Sequence, residues 1–529
     1  MKNTRRDIFK FAGGAAAGAL LTPVPWRLIK DSSLWSENWP GIPRPARGEI
    51  RTKTTNCALC PAGCPVRARC VGDQPVSLAG AGCAFGVAAH HLPYHPARLR
   101  KGPVAEAKAA LAKRSPADPI AILDLNPGRT ASWTFRRAMG ALKGTYIAPE
   151  TNPVAYDLHA VRTVLSVGTP LLEAWGTPAN VIAAREKFYL IHAGVVETRT
   201  AMLADQWIRA EGLPDPLPVA LRENGPSVVI GDAPEIPELN RSLGAPVYAR
   251  PEAPVPESWK KQAAPVTDLA VVPDRSVRFL LIDESSAATY VPWHRIEPKL
   301  AGDAVVITFA VARGGYARHA TYALPAPVFP ETTEDIPAAI DQTSEVFRLA
   351  APLVAPPAEV VSAAEFASVL ADVPAAGALR ERADAIHKLS PGNFAAADDF
   401  WKALLEGYVW RGAPAGPFSH AGSPAPVPRA PRELALTAAG AAWTPALLSP
   451  LMTKLYEESN LRLPPNAVAL NPRDAAGLPQ RAVLQTLLGK CAVRVVADPA
   501  VPPGTVLTGS SPGIRDICSP GDGAKVVAA

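Results

Sequence analysis

Short apolar runs recur through the middle of the chain, and most of them end in Gly or Asp. The run at 120–125 precedes a helical pattern at 131–142, and the run at 228–230 ends in Gly231 and Asp232. Short apolar runs with helices between them are typical of buried parallel strands. The pattern therefore predicts an α/β protein with Rossmann-like parallel sheets. Further strands are predicted at 163–167, 188–191, 279–282 and 305–309, and a further helix at 201–208.

The pattern changes near the C-terminus, where short strands alternate with turns and few helical stretches remain. Such spacing predicts a small C-terminal β-barrel. Between the sheets, Gly168 and Gly231 follow strand ends, where backbone could approach a dinucleotide. No G-x-G-x-x-G pattern accompanies them, so both are interpreted as turn residues. The predicted barrel strands lie at 467–470, 482–487, 492–496 and 505–507.

Four cysteines carry the clearest chemical signal in the chain. Cys57, Cys60 and Cys64 follow a C-x2-C-x3-C spacing, and eighteen residues separate Cys64 from Cys83. Three thiolates on one short loop and a fourth from a distance can surround a metal, and thiolate ligands select iron–sulfur clusters or zinc. Disulfides are a third alternative for an exported chain. A chain of 529 residues needs no disulfide staples, so an iron–sulfur cluster is the favoured interpretation.

The identity of the fourth ligand has two alternatives. Cys70 lies in the alternating run VRARCV, which predicts a strand with Cys70 in the core, whereas Cys83 follows Gly82 in a loop. We therefore favour Cys83. Three histidines follow Cys83, and we expect them to bond to backbone rather than to ligate. These are His90, His91 and His95, whereas the remaining cysteines, Cys491 and Cys518, are predicted to be structural.

The N-terminus predicts export of a folded protein. Arg5 and Arg6 stand in TRRDIFK, a twin-arginine signal, and an apolar Gly/Ala-rich run follows at 11–21. That run is shorter than the roughly 20 residues of a membrane span. No clear A-x-A cleavage site follows it. We therefore expect a location outside the cytoplasmic membrane, on its periplasmic face, with the signal as a candidate uncleaved anchor.

Composition and motifs give no support to several other classes of function. The formal net charge of +6 is spread along the chain, and no Lys/Arg run has interleaved aromatics, so nucleic-acid binding has no support. No nucleophile elbow or P-loop motif occurs, and the scattered carboxylates indicate no acid–base pair.

The cysteine spacing in this α/β setting resembles the molybdopterin oxidoreductase superfamily of the dimethyl sulfoxide reductase type. The segment Tyr94-His95-Pro96-Ala97-Arg98-Leu99 matches a family motif, as does ALPAP at 323–327 with Glu331. Residues 450–454 and 466–475 resemble the start of the family's C-terminal barrel. The resemblance implies a small N-terminal domain in which Cys57, Cys60, Cys64 and Cys83 hold one 4Fe–4S cluster.

One branch of the family fits best. The Trp/Pro-rich leader and the run at 172–176 (LEAWG) resemble the molybdopterin-like subunit of menaquinone reductase and alternative complex III. That resemblance implies three partners: a ferredoxin-like iron–sulfur subunit, a multihaem cytochrome c and an integral membrane quinone-binding subunit. The implied domains are a signal at 1–30, an extended segment at 31–50, the cluster domain at 51–105, shortened α/β domains at 106–435 and a barrel at 436–529.

The chain also departs from the catalytic members of the family. No cysteine lies between Cys83 and Cys491 to ligate molybdenum, and Asp157 and His159 are weak substitutes. Phe85 stands near where catalytic members carry a lysine between cluster and pterin. We therefore expect molybdopterin to be absent or non-catalytic. The favoured function is an electron-transfer or scaffold subunit, with a molybdenum or tungsten enzyme and a zinc or disulfide structural protein as alternatives.

Overall fold

The structure is a computed structural model, and it describes most of the chain with a few gaps. The Trp/Pro-rich stretch at 35–40, residues 173 and 174 of the LEAWG run, and residues 450–454 of the barrel motif lie outside the described residues. The described residues are 4–21, 48–80, 82–149, 153–172, 175–210, 212–231, 233, 235–285, 289–418, 436–440, 449, 463–518 and 521–529.

Helix α1 spans Arg5–Leu21 and contains the apolar part of the predicted signal. At 17 residues it is shorter than a typical membrane span. Among the helices that the structure describes, none combines the length and the apolar character needed to cross a membrane.

A three-stranded antiparallel sheet carries the first three cysteines. It consists of β1 (Ile50–Asn56), β2 (Pro65–Val71) and β3 (Gln74–Ala79), with β2 in the centre. Side chains of β2 alternate between solvent and core, and Cys70 is fully buried on the core face. The predicted strand at VRARCV is thus confirmed. Short helices follow, namely α2 (Ala84–Val87), a 3-10 helix (Ala88–Tyr94) and α3 (Val104–Ala112).

A six-stranded parallel sheet forms the central layer. Its inner strands, at 120–124 and 277–283, are largely buried apolar runs, as the sequence predicts. An amphipathic helix packs on one face of the sheet with Phe135 and Met139 in the core. The strands are β4 (Ile120–Asp124), β5 (Thr145–Ile147), β12 (Val266–Thr267), β13 (Val277–Asp283), β14 (Leu300–Ala310) and β15 (Tyr322–Pro325), and α4 is Thr130–Leu142.

The strand order in this sheet is β12-β5-β4-β13-β14-β15. After β4, the chain adds β5 and β12 on one side of β4. It then adds β13, β14 and β15 on the other side. Such a reversal is a topological switch point, and open α/β sheets bind ligands beside it, at the carboxyl ends of the strands. Here those ends carry Asp124 on β4 and Asp283 on β13.

A second parallel sheet has the order β10-β7-β8-β9, and a short antiparallel pair lies beside it in sequence. The predicted strands at 163–167, 188–191 and 228–230 are confirmed with shifts of one or two residues. The sheet consists of β7 (Thr163–Val167), β8 (Tyr189–Ala193), β9 (Gln206–Ile208) and β10 (Ser227–Ile230), and the pair of β6 (Val154–Tyr156) and β11 (Val247–Ala249).

The helix predicted at 201–208 is wrong. Helix α6 begins after the Thr198 cap and ends at Leu203, because Ala204 is extended. The chain then joins the sheet as edge strand β9, and the Trp207 indole N–H donates to the Gly194 carbonyl over 3.0 Å. Tertiary pairing therefore overrides the local apolar periodicity. The helices of this region are α5 (Pro178–Arg185), α6 (Arg199–Leu203), α7 (Ala220–Glu223), α8 (Ile236–Ser242) and α9 (Glu257–Gln262).

A three-stranded antiparallel sheet and three helices connect the parallel sheets to the cysteine domain. Strand β17 is central, and its C-terminal half is buried. The strands are β16 (Glu334–Asp335), β17 (Ser344–Ala350) and β18 (Val409–Pro414). The three helices are α11 (Ala363–Ala371), α12 (Ala378–Leu389) and α13 (Ala397–Leu405), and a further short helix, α10 (Trp293–Ile296), precedes β14.

The C-terminal strands close into a barrel of order β19-β23-β20-β22-β21-β24. Inward-facing residues such as Val468, Leu484 and Val506 fill its interior. The predicted C-terminal barrel is thus present. Its elements are β19 (Leu436–Gly440), β20 (Ala467–Leu470), α14 (Pro472–Ala475), β21 (Arg481–Thr486), β22 (Gly489–Ala497), β23 (Thr505–Thr508), α15 (Pro512–Arg515) and β24 (Gly523–Ala528).

Candidate metal centre

The loop between β1 and β2 presents three cysteines from one tight turn. The Cys57 backbone N–H donates to the Cys64 carbonyl over 2.8 Å, which closes the base of the loop. Within it, the Gly63 N–H donates to the Cys60 carbonyl over 3.2 Å. Gly63 has φ +53°, a left-handed conformation that glycine adopts without steric cost. The C-x2-C-x3-C spacing therefore produces a compact loop.

Cys83 approaches this loop from the start of α2. It is the N-cap residue, and the Gly86 backbone N–H donates to its sulfur over 3.4 Å. The preceding glycine permits the approach, because a Cβ on Gly82 would lie 3.5 Å from the Cys64 sulfur and 2.8 Å from Pro178 Cβ. Glycine at 82 therefore lets the two cysteine segments lie against each other.

All four predicted cysteines line one small cavity. Among the described residues, no three His, Cys, Asp or Glu side chains converge tightly enough to hold a single metal ion. A cubane differs, because each cysteine binds its own iron and the sulfurs stand farther apart. An all-thiolate donor set in an apolar cavity fits such a cluster. The cavity is lined by Cys57, Leu59, Cys60, Ala62, Gly63, Cys64, Cys83, Phe85, Gly86, Gly176 and Pro178.

Burial controls the protonation of these thiols. It raises the pKa of Cys57 well above its ordinary value and that of Cys60 to about 11, and it also raises the pKa of Cys64. Neighbouring thiols add to the increase. Backbone N–H groups oppose it, donated by Leu59 to Cys57 and by Ala62 to Cys60. Metal binding would therefore release protons from thiols that are otherwise neutral.

A buried arginine completes the surroundings of the loop. Arg348 extends from β17, and its Nη2 donates to the Pro61 carbonyl over 2.5 Å. Burial lowers the pKa of Arg348 to about 10, although the charges of Cys64 and Cys60 act in the opposite direction. Sequence reasoning missed this residue, because no spacing or motif connects position 348 to the cysteines.

The other sequence candidates lie away from the cavity. The Cys70 side chain lies on the core face of β2 and does not line the cavity, whereas Cys83 does line it. The assignment of Cys57, Cys60, Cys64 and Cys83 as ligands stays a prediction.

Two of the three histidines after Cys83 bond to backbone, as expected. His90 Nδ1 contacts the Val87 carbonyl at 3.0 Å, and His95 Nδ1 accepts from the Ala97 N–H. Neither these nor His91 line the cavity. Asp157 accepts the backbone N–H of His159 and so closes a turn. His159 itself is exposed and bonds to Asn180 over 2.8 Å.

The switch point of the six-stranded sheet is filled by an ionic network. Arg129, at the start of α4, is buried and its Nη2 lies 2.9 Å from Asp283 Oδ2 and 3.6 Å from Asp124 Oδ1. Its Nη1 lies 3.6 Å from Glu334. Burial alone would lower the pKa of Arg129, but these carboxylates outweigh it and raise that pKa. One guanidinium thus bridges the ends of β4 and β13.

The N-terminus of α4 is also occupied. Asp335 accepts the Thr130 backbone N–H at 2.8 and 2.9 Å and the Thr130 hydroxyl at 3.0 Å. Arg382 Nη1 donates to the same carboxylate over 2.9 Å. Helix N-termini are sites where phosphate groups bind. The Asp335 carboxylate therefore supplies the negative charge at the start of this helix.

Comparison with known proteins gives one sequence relative and a structural neighbour. No protein-family model matches the chain. The chain is 31% identical to the menaquinone reductase molybdopterin-binding-like subunit of Nitratidesulfovibrio vulgaris, over 39% of this chain and 37% of the relative. The chain thus spans well under two thirds of the length of the curated relative.

The structural neighbour is acetylene hydratase from Pelobacter acetylenicus. It superposes with a TM-score of 0.63 over 90% of this chain and 100% of the other, at 13% identity, which shows the fold alone. The sequence relative and the shared fold confirm the resemblance that the motifs predict. The chain has a molybdopterin oxidoreductase fold, and in sequence it resembles the molybdopterin-binding-like subunit of menaquinone reductase.

Proposed function

We propose that this chain is the iron–sulfur electron-transfer subunit of a respiratory quinone oxidoreductase complex. The observation that carries the proposal is the convergence of Cys57, Cys60, Cys64 and Cys83 on one cavity. The similarity to a subunit of menaquinone reductase supports the respiratory role.

The cysteine cavity suits one 4Fe–4S cluster, which would supply one-electron transfer when bound. The chain provides four thiol ligands, and each sulfur accepts a backbone N–H, from Leu59, Ala62, Gly82 or Gly86. A protein sets the reduction potential of a cluster through hydrogen bonds to the cluster sulfurs and through burial from water. These residues therefore bind the cluster, shield it and tune it.

We further propose that the chain holds no molybdenum. Arg129 and Asp335 fill the crevice at the switch point, so a pterin dinucleotide there would have to displace buried ion pairs. Phe85, which lines the cysteine cavity, provides neither charge nor hydrogen bond. No cysteine between 83 and 491 is present as a metal ligand. Substrate chemistry at a pterin-bound metal is therefore not part of the proposal.

Location and partners follow from the sequence motifs. The twin-arginine signal supports export of the folded chain to the periplasmic face of the membrane, with α1 as a candidate anchor. The resemblance supports a ferredoxin-like iron–sulfur subunit, a multihaem cytochrome c and an integral membrane quinone-binding subunit as partners.

Metal and sulfide analysis of the chain, purified from membranes without oxygen, tests this proposal. We expect about four iron and four acid-labile sulfides per chain, a cubane EPR signal after reduction, and neither molybdenum nor tungsten. Stoichiometric molybdenum or tungsten would contradict the proposal and indicate a catalytic subunit. Zinc alone, or disulfides without metal, would indicate a structural protein.

A further inference from the structure

Arg348 is a buried cation with no carboxylate in direct contact among the described residues. Its side chain is enclosed between β17 and the cysteine loop, and the residue is 5% exposed. Its Nη2 donates to the Pro61 carbonyl, whereas its Nε has no hydrogen-bond partner. Within the part of the chain that the structure describes, no Asp or Glu lies within ion-pair distance of Arg348, although the charge of the more distant Asp341 favours its protonated form.

Other buried arginines of the described chain are compensated differently. Arg98, Arg129 and Arg382 each form an ion pair with a buried carboxylate. Arg137 lies over the Trp259 ring, 5.2 Å from its centroid. Burying a charge is costly unless an opposite charge accompanies it. Arg348 therefore lacks the directly contacting carboxylate that the ion-paired arginines have.

The cysteine loop is held against Arg348 by bonds between β1 and the end of β17. The Asn56 amide donates to the Leu349 carbonyl over 2.9 Å, and the Ala351 N–H donates to the Thr55 hydroxyl over 2.6 Å. The guanidinium lies against Gly63, since a Cβ there would come within 2.7 Å of Arg348 Nη2. Pro61 and Gly63 both lie between Cys60 and Cys64. The arginine is thus fixed on the segment of the loop between Cys60 and Cys64.

We infer that Arg348 compensates the negative charge of the thiolate-bound cluster and raises its reduction potential. The inference rests on the proposed function, because the anion it requires is the cluster. A cluster with four thiolates is an anion, and it gains a further negative charge on reduction. A fixed positive charge in a poorly screened interior stabilises the reduced state more than the oxidised state. Arg348 is therefore a positioning residue that acts through the cluster.

Redox titration monitored by EPR tests this inference on the full chain purified with its cluster. At the wild-type midpoint, we expect Arg348→Gln to lower the ratio of reduced to oxidised cluster about tenfold, which corresponds to about 59 mV for one electron. Arg348→Lys keeps the charge and should stay close to wild type. Arg69→Gln is the matched control, because Arg69 lies on β2, the strand that follows the cysteine loop, but is exposed. Its removal should leave the ratio unchanged, since water screens its charge.

The outcomes separate the two proposals. An unchanged midpoint in Arg348→Gln, or an equal shift in Arg348→Lys, would overturn the role of the charge. If Arg348→Gln is isolated without iron while Arg348→Lys keeps its iron, the requirement for the charge is supported. Loss of iron from both variants would overturn it, because shape rather than charge would then be needed. A wild-type chain without iron would instead reject the proposed function.

Discussion

Arg98 and Glu331 form a buried bidentate ion pair between segments 233 residues apart. Their side chains are 0% and 1% exposed. Arg98 ends the Tyr-His-Pro motif after the cysteines, and Glu331 follows the ALPAP segment of the six-stranded sheet. Two motifs that sequence analysis recognised separately are thus one structural contact. It joins the cysteine domain to the parallel sheet.

Removing one member of this pair should destabilise the protein strongly. Arg98→Met would leave the Glu331 carboxylate buried without its partner, and we expect a loss of about 3–5 kcal/mol in the free energy of unfolding. The double variant with Glu331→Leu should recover part of that loss. Urea unfolding of the wild type, both single variants and the double variant measures the coupling. Strictly additive losses would contradict a direct pair.

The buried carboxyl group of Glu284 should make the stability of the protein depend on pH. Burial raises its pKa to about 8, although the N–H groups of Tyr316 and Ala317 act in the opposite direction. Because the folded pKa exceeds the unfolded value, the stability from this group is fully present below about pH 4.5 and lost as pH rises through 8. We expect Glu284→Gln to reduce the loss of stability between these pH values.

Denaturant unfolding at intervals from pH 4.5 to pH 8 checks this expectation. Glu223→Gln serves as the control, because Glu223 is exposed on α7. Its profile should follow that of the wild type. A wild-type profile that Glu284→Gln leaves unaltered would mean that the Glu284 carboxyl is not the group responsible.

Gly63 should tolerate no side chain. Gly63→Ala adds the strain of a left-handed residue, about 1–2 kcal/mol, and also drives a methyl group into the Arg348 guanidinium. Gly244→Ala is the matched control, since Gly244 has φ +60° but open space around its Cβ position. We expect both variants to unfold at lower temperature, and Gly63→Ala alone to lose iron. Equal iron contents in the two variants would show that the contact with Arg348 is unimportant for cluster binding.

Local patterns in the sequence were sufficient to predict most of the fold. Apolar runs marked β4, β7, β10 and β13, because buried parallel strands need continuous apolar residues. Alternation in VRARCV placed Cys70 in the core rather than the cavity. The predicted helix at 201–208 is wrong, because pairing with β8 decides the conformation of Gln206–Ile208.

Sequence patterns do not predict the long-range contacts of the site. Arg348 reaches the cysteine loop only because β17 and β1 are joined by Asn56 and Thr55. Thr130 and Asp335 meet only because α4 packs beside β16. Contacts between residues so distant in sequence leave no periodicity or spacing to read. The cysteine ligands, by contrast, lie close together along the chain and carry a recognisable spacing.

Substitution of Cys83 and Cys70, each by serine, tests the central claim most directly. Both variants lose one thiol, but only Cys83 lines the cavity, whereas the Cys70 side chain is buried on the core face of β2. Iron, acid-labile sulfide and the EPR signal of the reduced chain should be measured without oxygen. We expect Cys83→Ser to lose the cubane signal and iron, and Cys70→Ser to retain both. A full cluster in Cys83→Ser, or its loss only in Cys70→Ser, would contradict the account.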